Sequence, residues 1–143
     1  LLQAEGWRCD VVFVLGSELS PLAETNRRRL LNLAGISFIG VQALPAQLAQ
    51  QRYDVLIEGI FGTGFAGRLP AAVAACCRLL NASDGLKVAL DMPTGLNGDT
   101  GDVDADVFRA ELTYTFGAYK PAHLMDAGRA VCGEIVCLDI GIQ

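Results

Sequence analysis

The sequence predicts an α/β fold, a Rossmann-like three-layer α/β/α sandwich with a mostly parallel sheet. Short, nearly continuous apolar runs recur along the chain, and such runs are typical of strands buried on both faces. Segments with helical spacing of apolar residues separate these runs. Right-handed crossovers then place helices on both faces of a parallel sheet. The 143 residues are expected to form one domain, residues 1–143.

Composition narrows the classes of function. The chain is 52% hydrophobic, which supplies a sizeable core, and its net charge of −5 gives no general support for nucleic-acid binding. No apolar run reaches the ~18 residues that a membrane span needs. The five cysteines lack the spacing of a zinc site and predict free thiols in a reducing compartment, so the expected location is the cytoplasm.

The first third of the chain predicts two strands around one helix. Residues 1–6 resemble the last turn of a helix that Gly6 closes. Residues 10–16 form an apolar run of strand length. Ser20 is placed as an N-cap before Pro21, where a helix is expected to begin and to run towards Gly35. A short second strand follows at residues 36–39.

The remaining chain alternates in the same way. The predicted elements are a weak helix at 45–51, a strand at 53–57, a helix at 69–80 opened by Pro70, and strands at 87–90, 111–116 and 134–140.

Asp91 is the first candidate functional residue. The strand at 87–90 stops at Asp91, and Met-Pro-Thr-Gly follows. Pro93 locks its own φ, and Gly95 permits a positive φ, so the aspartate is held at the carboxyl end of a buried strand. Ligands of open α/β sheets bind at that edge. The alternative is that Asp91 only caps the turn, because aspartate is a favoured turn residue.

A glycine-rich loop supplies the second candidate. Residues 62–67 follow a strand and precede a helix, and their three glycines expose backbone N–H groups. The following helix adds its positive N-terminal end, which suits a phosphate or pyrophosphate. A flexible strand–helix turn is the alternative. Because sequential parallel strands are usually neighbours, this loop and the Asp91 turn should face one crevice.

Four other polar side chains lie near these strand ends. Oxygens of Glu58 and Thr94 could hold a hard cation, and the alternative for Glu58 is a buried charge that needs a partner. Lys120 could bind an anion, but a solvated lysine is the preferred interpretation. His123 has a pKa suited to acid–base chemistry, but a surface histidine is the preferred interpretation.

Four motifs together resemble one known family. They are I-E-G-I-F-G-T-G-F-A-G (57–67), A-L-D-M-P-T-G-L-N-G-D-T-G (89–101), T-Y-T-F-G-A-Y-K-P (113–121) and G-E-I-V-C-L-D-I-G-I (133–142). They resemble the YjeF N-terminal domain family, the NAD(P)H-hydrate epimerases. The resemblance implies interconversion of the R and S forms of hydrated NADH and NADPH (NADHX and NADPHX), so that a dehydratase can restore the cofactor.

The resemblance also implies residue roles. Asp91 matches the acidic residue beside the substrate and is expected to be the catalytic acid/base group. Glu58 and Thr94 match positions that bind a potassium ion in the family. The residues that match the loop in contact with the dinucleotide are Gly62, Thr63, Gly64, Phe65, Ala66, Gly67 and Arg68.

The chain departs from the family pattern at several places. Glu58 stands where the family usually has aspartate, Thr94 where serine is common, and Glu111 where aspartate is common. The family's G-N-N-G-G-D-G loop should precede Leu1 with a strand before it, so the chain is expected to be truncated at its N-terminus. An exposed sheet edge or apolar patch is the expected consequence, and with it a homodimer or poor solubility.

Two partners and two other functions remain open. The implied partners are the NADHX or NADPHX substrate and an ADP- or ATP-dependent NAD(P)H-hydrate dehydratase, fused or separate. One alternative function is a non-catalytic nucleotide-binding or protein-interaction module of the same fold. The other is an unrelated Rossmann-like transferase.

Overall fold

The computed structural model describes residues 2–16 and 18–141, and it divides into two compact units, Leu1–Gln50 and Gln51–Gln143. Both units are built from parallel strands and helices, which confirms the predicted α/β class. Every pairing between strands in the described chain is parallel. The single domain expected over residues 1–143 stays a prediction.

The first unit is a two-stranded parallel sheet with its connecting helix. Strand β1 (Cys9–Val12) pairs with β2 (Ile36–Ile39), and helix α1 (Pro21–Leu30) joins them. The Ser20 hydroxyl caps α1 by accepting a hydrogen bond from the Ala23 N–H at 3.3 Å, as predicted. Strand β1 ends earlier than predicted, at Val12, and among the described residues it pairs only with the four-residue β2. Helix α2 (Leu44–Gln50) follows.

The start of the chain agrees with the expected helical turn in part. Gln3–Glu5 form a single 3₁₀ turn that Gly6 closes with a left-handed φ of 86°. Leu1 lies outside the described residues, as does Ile142 of the fourth motif.

The second unit holds the candidate site. Its four-stranded parallel sheet has the sequential order β3 (Val55–Glu58), β4 (Leu86–Leu90), β5 (Leu112–Phe116) and β6 (Glu134–Leu138). Helix α3 (Ala71–Ala82) carries the chain from β3 to β4, and Pro70 stands at its N-cap. The carboxyl ends of β3, β4 and β5 therefore lie side by side.

Two short helices between β5 and β6 were not predicted. Helix α4 (Pro121–Leu124) and helix α5 (Asp126–Cys132) are too short to show a helical period in sequence. Met125 separates them with an extended backbone. They complete a core of buried apolar residues made of Met92, Leu96, Val107, Ala122, Val131 and Cys132.

All five cysteines are free thiols. Burial first, and then the nearby Glu58 carboxylate, raise the pKa of Cys77 to about 12, so this thiol is inert as a nucleophile. Among residues 2–16 and 18–141, no helix has the length and the apolarity to cross a membrane.

Gly128 is expected to be essential for the packing of α5. A Cβ at this position would lie 1.9 Å from the Ala122 carbonyl oxygen, which belongs to the backbone of α4 and cannot move alone. We expect Gly128→Ala to lower the free energy of unfolding by about 3 kcal/mol, measured by urea denaturation. Gly64→Ala is the control, since nothing lies within 4 Å of its added Cβ. Equal stability of both variants would contradict this packing.

Candidate functional site

The ends of three neighbouring strands bring the sequence motifs together. Glu58 is the last residue of β3, Asp91 directly follows β4, and Lys120 comes four residues after the end of β5. Since β4 lies between β3 and β5, Asp91 stands in the middle of this edge of the sheet. The predicted meeting of the glycine-rich loop and the Asp91 turn is confirmed.

The backbone of Asp91 is in an unusual conformation. Its φ of 70° is the only positive φ of a non-glycine residue among residues 2–16 and 18–141. The Met92 N–H donates to the Leu90 carbonyl at 2.9 Å, which closes a γ-turn centred on Asp91. The Asp91 N–H donates to the Tyr114 carbonyl of β5 at 2.7 Å. Such a conformation costs about 1–3 kcal/mol and persists where the surroundings hold it, often at functional sites.

The two carboxylate oxygens of Asp91 face different surroundings. Oδ1 forms an ion pair with the Lys120 ammonium, and the Thr115 hydroxyl lies 3.4 Å from it. Oδ2 lies 3.1 Å from the position that a Cβ on Gly62 would take. The glycine-rich loop therefore begins against the free side of the carboxylate. A side chain at position 62 would crowd this oxygen.

Lys120 is not solvated, so the preferred interpretation of this residue is wrong. Its ammonium contacts three oxygens: Asp91 Oδ1, the Thr115 hydroxyl at 2.8 Å and the Phe116 carbonyl at 3.1 Å. An ammonium has three donors, and all three are used here. Only 18% of the Lys120 side chain is exposed. The end of β5 supplies two of the acceptors, so that the lysine folds back over its own strand.

His123 is not a surface histidine, which corrects the second preferred interpretation. It is 1% exposed, because α4 turns it into the core. Its Nδ1 accepts the Lys120 backbone N–H at 3.1 Å, and its Nε2 has no hydrogen-bond partner among the described residues. Burial lowers the pKa of His123, and the Lys120 ammonium lowers it further, while the Asp91 carboxylate raises it. The imidazole is therefore neutral near pH 7.

This histidine is expected to make the folded state sensitive to acid. Its pKa is lower in the folded chain than the ordinary value of 6.5, so the unfolded chain binds the proton more readily. Its contribution to stability is complete above pH 6.5 and is lost as the pH falls below that value. Urea denaturation at several pH values should show this loss. His123→Gln should remove that part of the pH dependence, and an unchanged slope would contradict the assignment.

Glu58 and Thr94 contact each other directly. Glu58 Oε1 accepts the Thr94 N–H at 2.9 Å, and Oε2 accepts the Thr94 hydroxyl at 2.7 Å. The Ile60 N–H donates to Oε2 at 3.1 Å. Burial raises the pKa of Glu58, and these hydrogen bonds act in the opposite direction. The sequence predicted that a buried Glu58 would need a partner, and Thr94 is that partner.

The potassium ion implied by the resemblance stays a prediction, and Glu58 and Thr94 as they stand do not fit it. A cation needs oxygen lone pairs directed at one point. Here the oxygens of both side chains are engaged with each other and with backbone N–H donors. In the described part of the chain, no group of three or more His, Cys, Asp or Glu side chains could hold a metal ion.

The predicted dinucleotide loop is mostly open to solvent. Thr63, Gly64 and residues 66–68 are exposed. The Phe65 side chain is buried and stacks on Phe61, with ring centroids 5.8 Å apart. This stacking packs the centre of the loop against Phe61.

The N-terminus of α3 is not directly at the end of this loop. The helix begins at Ala71, and the Leu69 N–H before it donates to Asp104 Oδ2 at 3.0 Å. The Leu69 N–H is therefore already engaged before the helix begins. The substrate contacts of Gly62, Thr63, Gly64, Phe65, Ala66, Gly67 and Arg68 stay predictions.

Sequence reasoning missed Thr115. It is fully buried at the end of β5, and its hydroxyl contacts Lys120 Nζ, Asp91 Oδ1 and the Ala118 carbonyl at 3.2 Å. The available sequence signal was the alternation of Thr113 and Thr115 with apolar residues in the predicted strand at 111–116. Thr115 completes the polar contacts of the ammonium.

Comparison with known proteins identifies close relatives. A family model described as YjeF-related protein N-terminus matches residues 1–122. The chain is 43% identical over 131 residues to the bifunctional NAD(P)H-hydrate repair enzyme Nnr of Archaeoglobus fulgidus, covering 92% of this chain and 26% of that protein. It is 37% identical over 89 residues to the NAD(P)H-hydrate epimerase of Rhodopirellula baltica, covering 62% and 36% of the two chains.

Among solved structures, the yeast protein YNL200c (ynu0) has the same fold. The TM-score is 0.73 at 17% identity, and the match covers 86% of this chain and 52% of the yeast chain. The chain spans about a quarter of the length of the bifunctional relatives from Archaeoglobus fulgidus, Pyrobaculum aerophilum and Hyperthermus butylicus.

Proposed function

Because the chain belongs to the family of YjeF-related protein N-termini, we propose that it carries an NAD(P)H-hydrate epimerase activity. The reaction interconverts the R and S forms of hydrated NADH and NADPH. Relatives at 36–37% identity over about 90 residues bear the name NAD(P)H-hydrate epimerase. The observation that carries the proposal is the Asp91 carboxylate, which stands against the start of the glycine-rich loop.

The geometry supports separate roles for the glycine-rich loop and the Asp91 turn. The loop at residues 62–68, most of whose residues are exposed, receives the pyrophosphate of the dinucleotide. Asp91 Oδ2 faces this loop, and Oδ1 is held by Lys120. Asp91 accepts the proton from the hydrated nicotinamide carbon, and return of a proton to the opposite face of that carbon completes the inversion. An oriented carboxylate next to the substrate is a suitable acid/base group for this step.

The experiment is a direct assay of epimerisation. Purified (R)-NADPHX is incubated with the chain, and the R and S forms are separated by chromatography over time. We expect the approach to the R/S equilibrium to be accelerated over a buffer control and over heat-denatured protein. Equal rates with and without folded protein would favour the alternative, a non-catalytic nucleotide-binding module of the same fold.

The expected partners and cellular setting also belong to this proposal. The relatives named bifunctional repair enzymes support a partnership with a dehydratase, fused or separate. The free thiols of all five cysteines support a reducing, cytoplasmic setting. A homodimer is supported by the exposed apolar side chains Ile57, Leu86 and Leu90 on β3 and β4, and light scattering would test it.

A further inference from the structure

Glu58 and Thr94 link two loops of the site through a buried contact. Glu58 ends β3 four residues before the first glycine of the glycine-rich loop, and Thr94 lies 36 residues later, in the turn that follows Asp91. The two residues are 3% and 0% exposed. Both oxygens of the carboxylate are used, one by the Thr94 N–H and the other by the Thr94 hydroxyl. The link thus connects the last residue of β3 to the turn after β4, in addition to the parallel pairing of the two strands.

The surroundings of this link favour an anion. The Ile60 N–H donates to Glu58 Oε2 at 3.1 Å, and the Phe61 N–H donates to Thr94 Oγ1 at 3.0 Å. Four hydrogen-bond donors therefore converge on these side chains: three backbone N–H groups and one hydroxyl. Backbone N–H groups carry positive partial charge, so that they stabilise a carboxylate and repel a cation.

We propose that the Glu58–Thr94 link takes the place of a bound cation and holds the two loops together without potassium. The carboxylate of a glutamate reaches one methylene farther than that of an aspartate. This extra reach brings it within hydrogen-bond distance of both the N–H and the hydroxyl of Thr94. An aspartate at position 58 would end one methylene short of these two Thr94 groups.

Thermal unfolding in two salts tests the first part of the proposal. The intact chain is measured in KCl and in choline chloride at equal ionic strength. We expect the same Tm in both salts, because the loops are already joined. A Tm that rises specifically in KCl would overturn the proposal. This readout does not depend on the proposed epimerase activity, so the two can fail separately.

Three variants test the link itself. Thr94→Ser keeps the hydroxyl and should retain the Tm of the original chain more closely than Thr94→Val, which removes it. An equal decrease in Tm in the two variants would show that the hydrogen bond of the Thr94 hydroxyl does not stabilise the fold. Glu58→Asp should lose stability in choline chloride and recover part of it in KCl. A Glu58→Asp variant with no recovery in KCl would refute the idea that the glutamate replaces an ion.

Discussion

Asp91→Asn should slow NADPHX epimerisation by at least about 100-fold, the lower end of what a general acid/base group contributes. Asparagine has the same shape and tolerates a positive φ, so the γ-turn at position 91 should persist. The asparagine amide cannot accept and release a proton as the Asp91 carboxylate does. Initial rates of the R-to-S conversion measure the loss, and near-ultraviolet circular dichroism verifies the fold.

A neighbouring carboxylate supplies the control for this experiment. Asp99 lies eight residues farther along the same segment and is exposed, so Asp99→Asn removes an equal charge without touching the ion pair. We expect Asp99→Asn to keep the original rate. Wild-type turnover by a folded Asp91→Asn variant would show that the proton is transferred by another group.

Local sequence signals predicted the elements that depend on short-range chemistry. Ser20 and Pro21 defined the start of α1, because a hydroxyl cap and a fixed φ act within one turn. The apolar runs located all six strands, although β1 and β6 end before the predicted residues. The closeness of the glycine-rich loop and the Asp91 turn followed from the order of the strands, since sequential parallel strands pair.

Contacts between distant residues were beyond local signals. Lys120 and Asp91 are 29 residues apart, and Glu58 and Thr94 are 36 residues apart. Each of these residues is typically solvated when considered alone. Their burial follows from the sheet, whose neighbouring strand ends force the polar side chains onto one another. Helices α4 and α5 were not predicted for a different reason: they have only four and seven residues, too few to show a helical period in the sequence.

In this site Asp91 has a constrained backbone, and two separate sets of contacts surround it: the Glu58–Thr94 link and the Lys120 ion pair. The γ-turn directs the Asp91 carboxylate, and the Tyr114 carbonyl of β5 fixes its backbone N–H. Glu58 and Thr94 hold the adjacent loops, but neither makes a described hydrogen bond to the Asp91 carboxylate. Lys120 does contact that carboxylate. The orientation of the proton-transfer group is thus expected to depend on Lys120 more than on the Glu58–Thr94 link.

Lys120→Met should therefore lower kcat by about 10- to 100-fold, which corresponds to the loss of a charge-assisted hydrogen bond worth about 1.5–3 kcal/mol. KM should change much less, because the described hydrogen bonds of the Lys120 ammonium go to Asp91 and the end of β5, and none goes to the 62–68 loop. Methionine has a similar length and fills the same partly buried space. Steady-state kinetics on (R)-NADPHX separate the two parameters.

Two further variants distinguish a positioning role from a loss of structure. Lys87→Met is the control, since Lys87 is the only other lysine and its ammonium lies 3.5 Å from the Gly85 carbonyl, within its own strand region. Lys120→Ala opens a space beside Asp91 that a small alkylammonium ion can occupy. Added ethylammonium should restore part of kcat in Lys120→Ala and none in Asp91→Asn. If ethylammonium does not raise kcat although Lys120→Ala is folded, the ammonium does not orient the Asp91 carboxylate. The role of Lys120 is then limited to its hydrogen bonds with the end of β5.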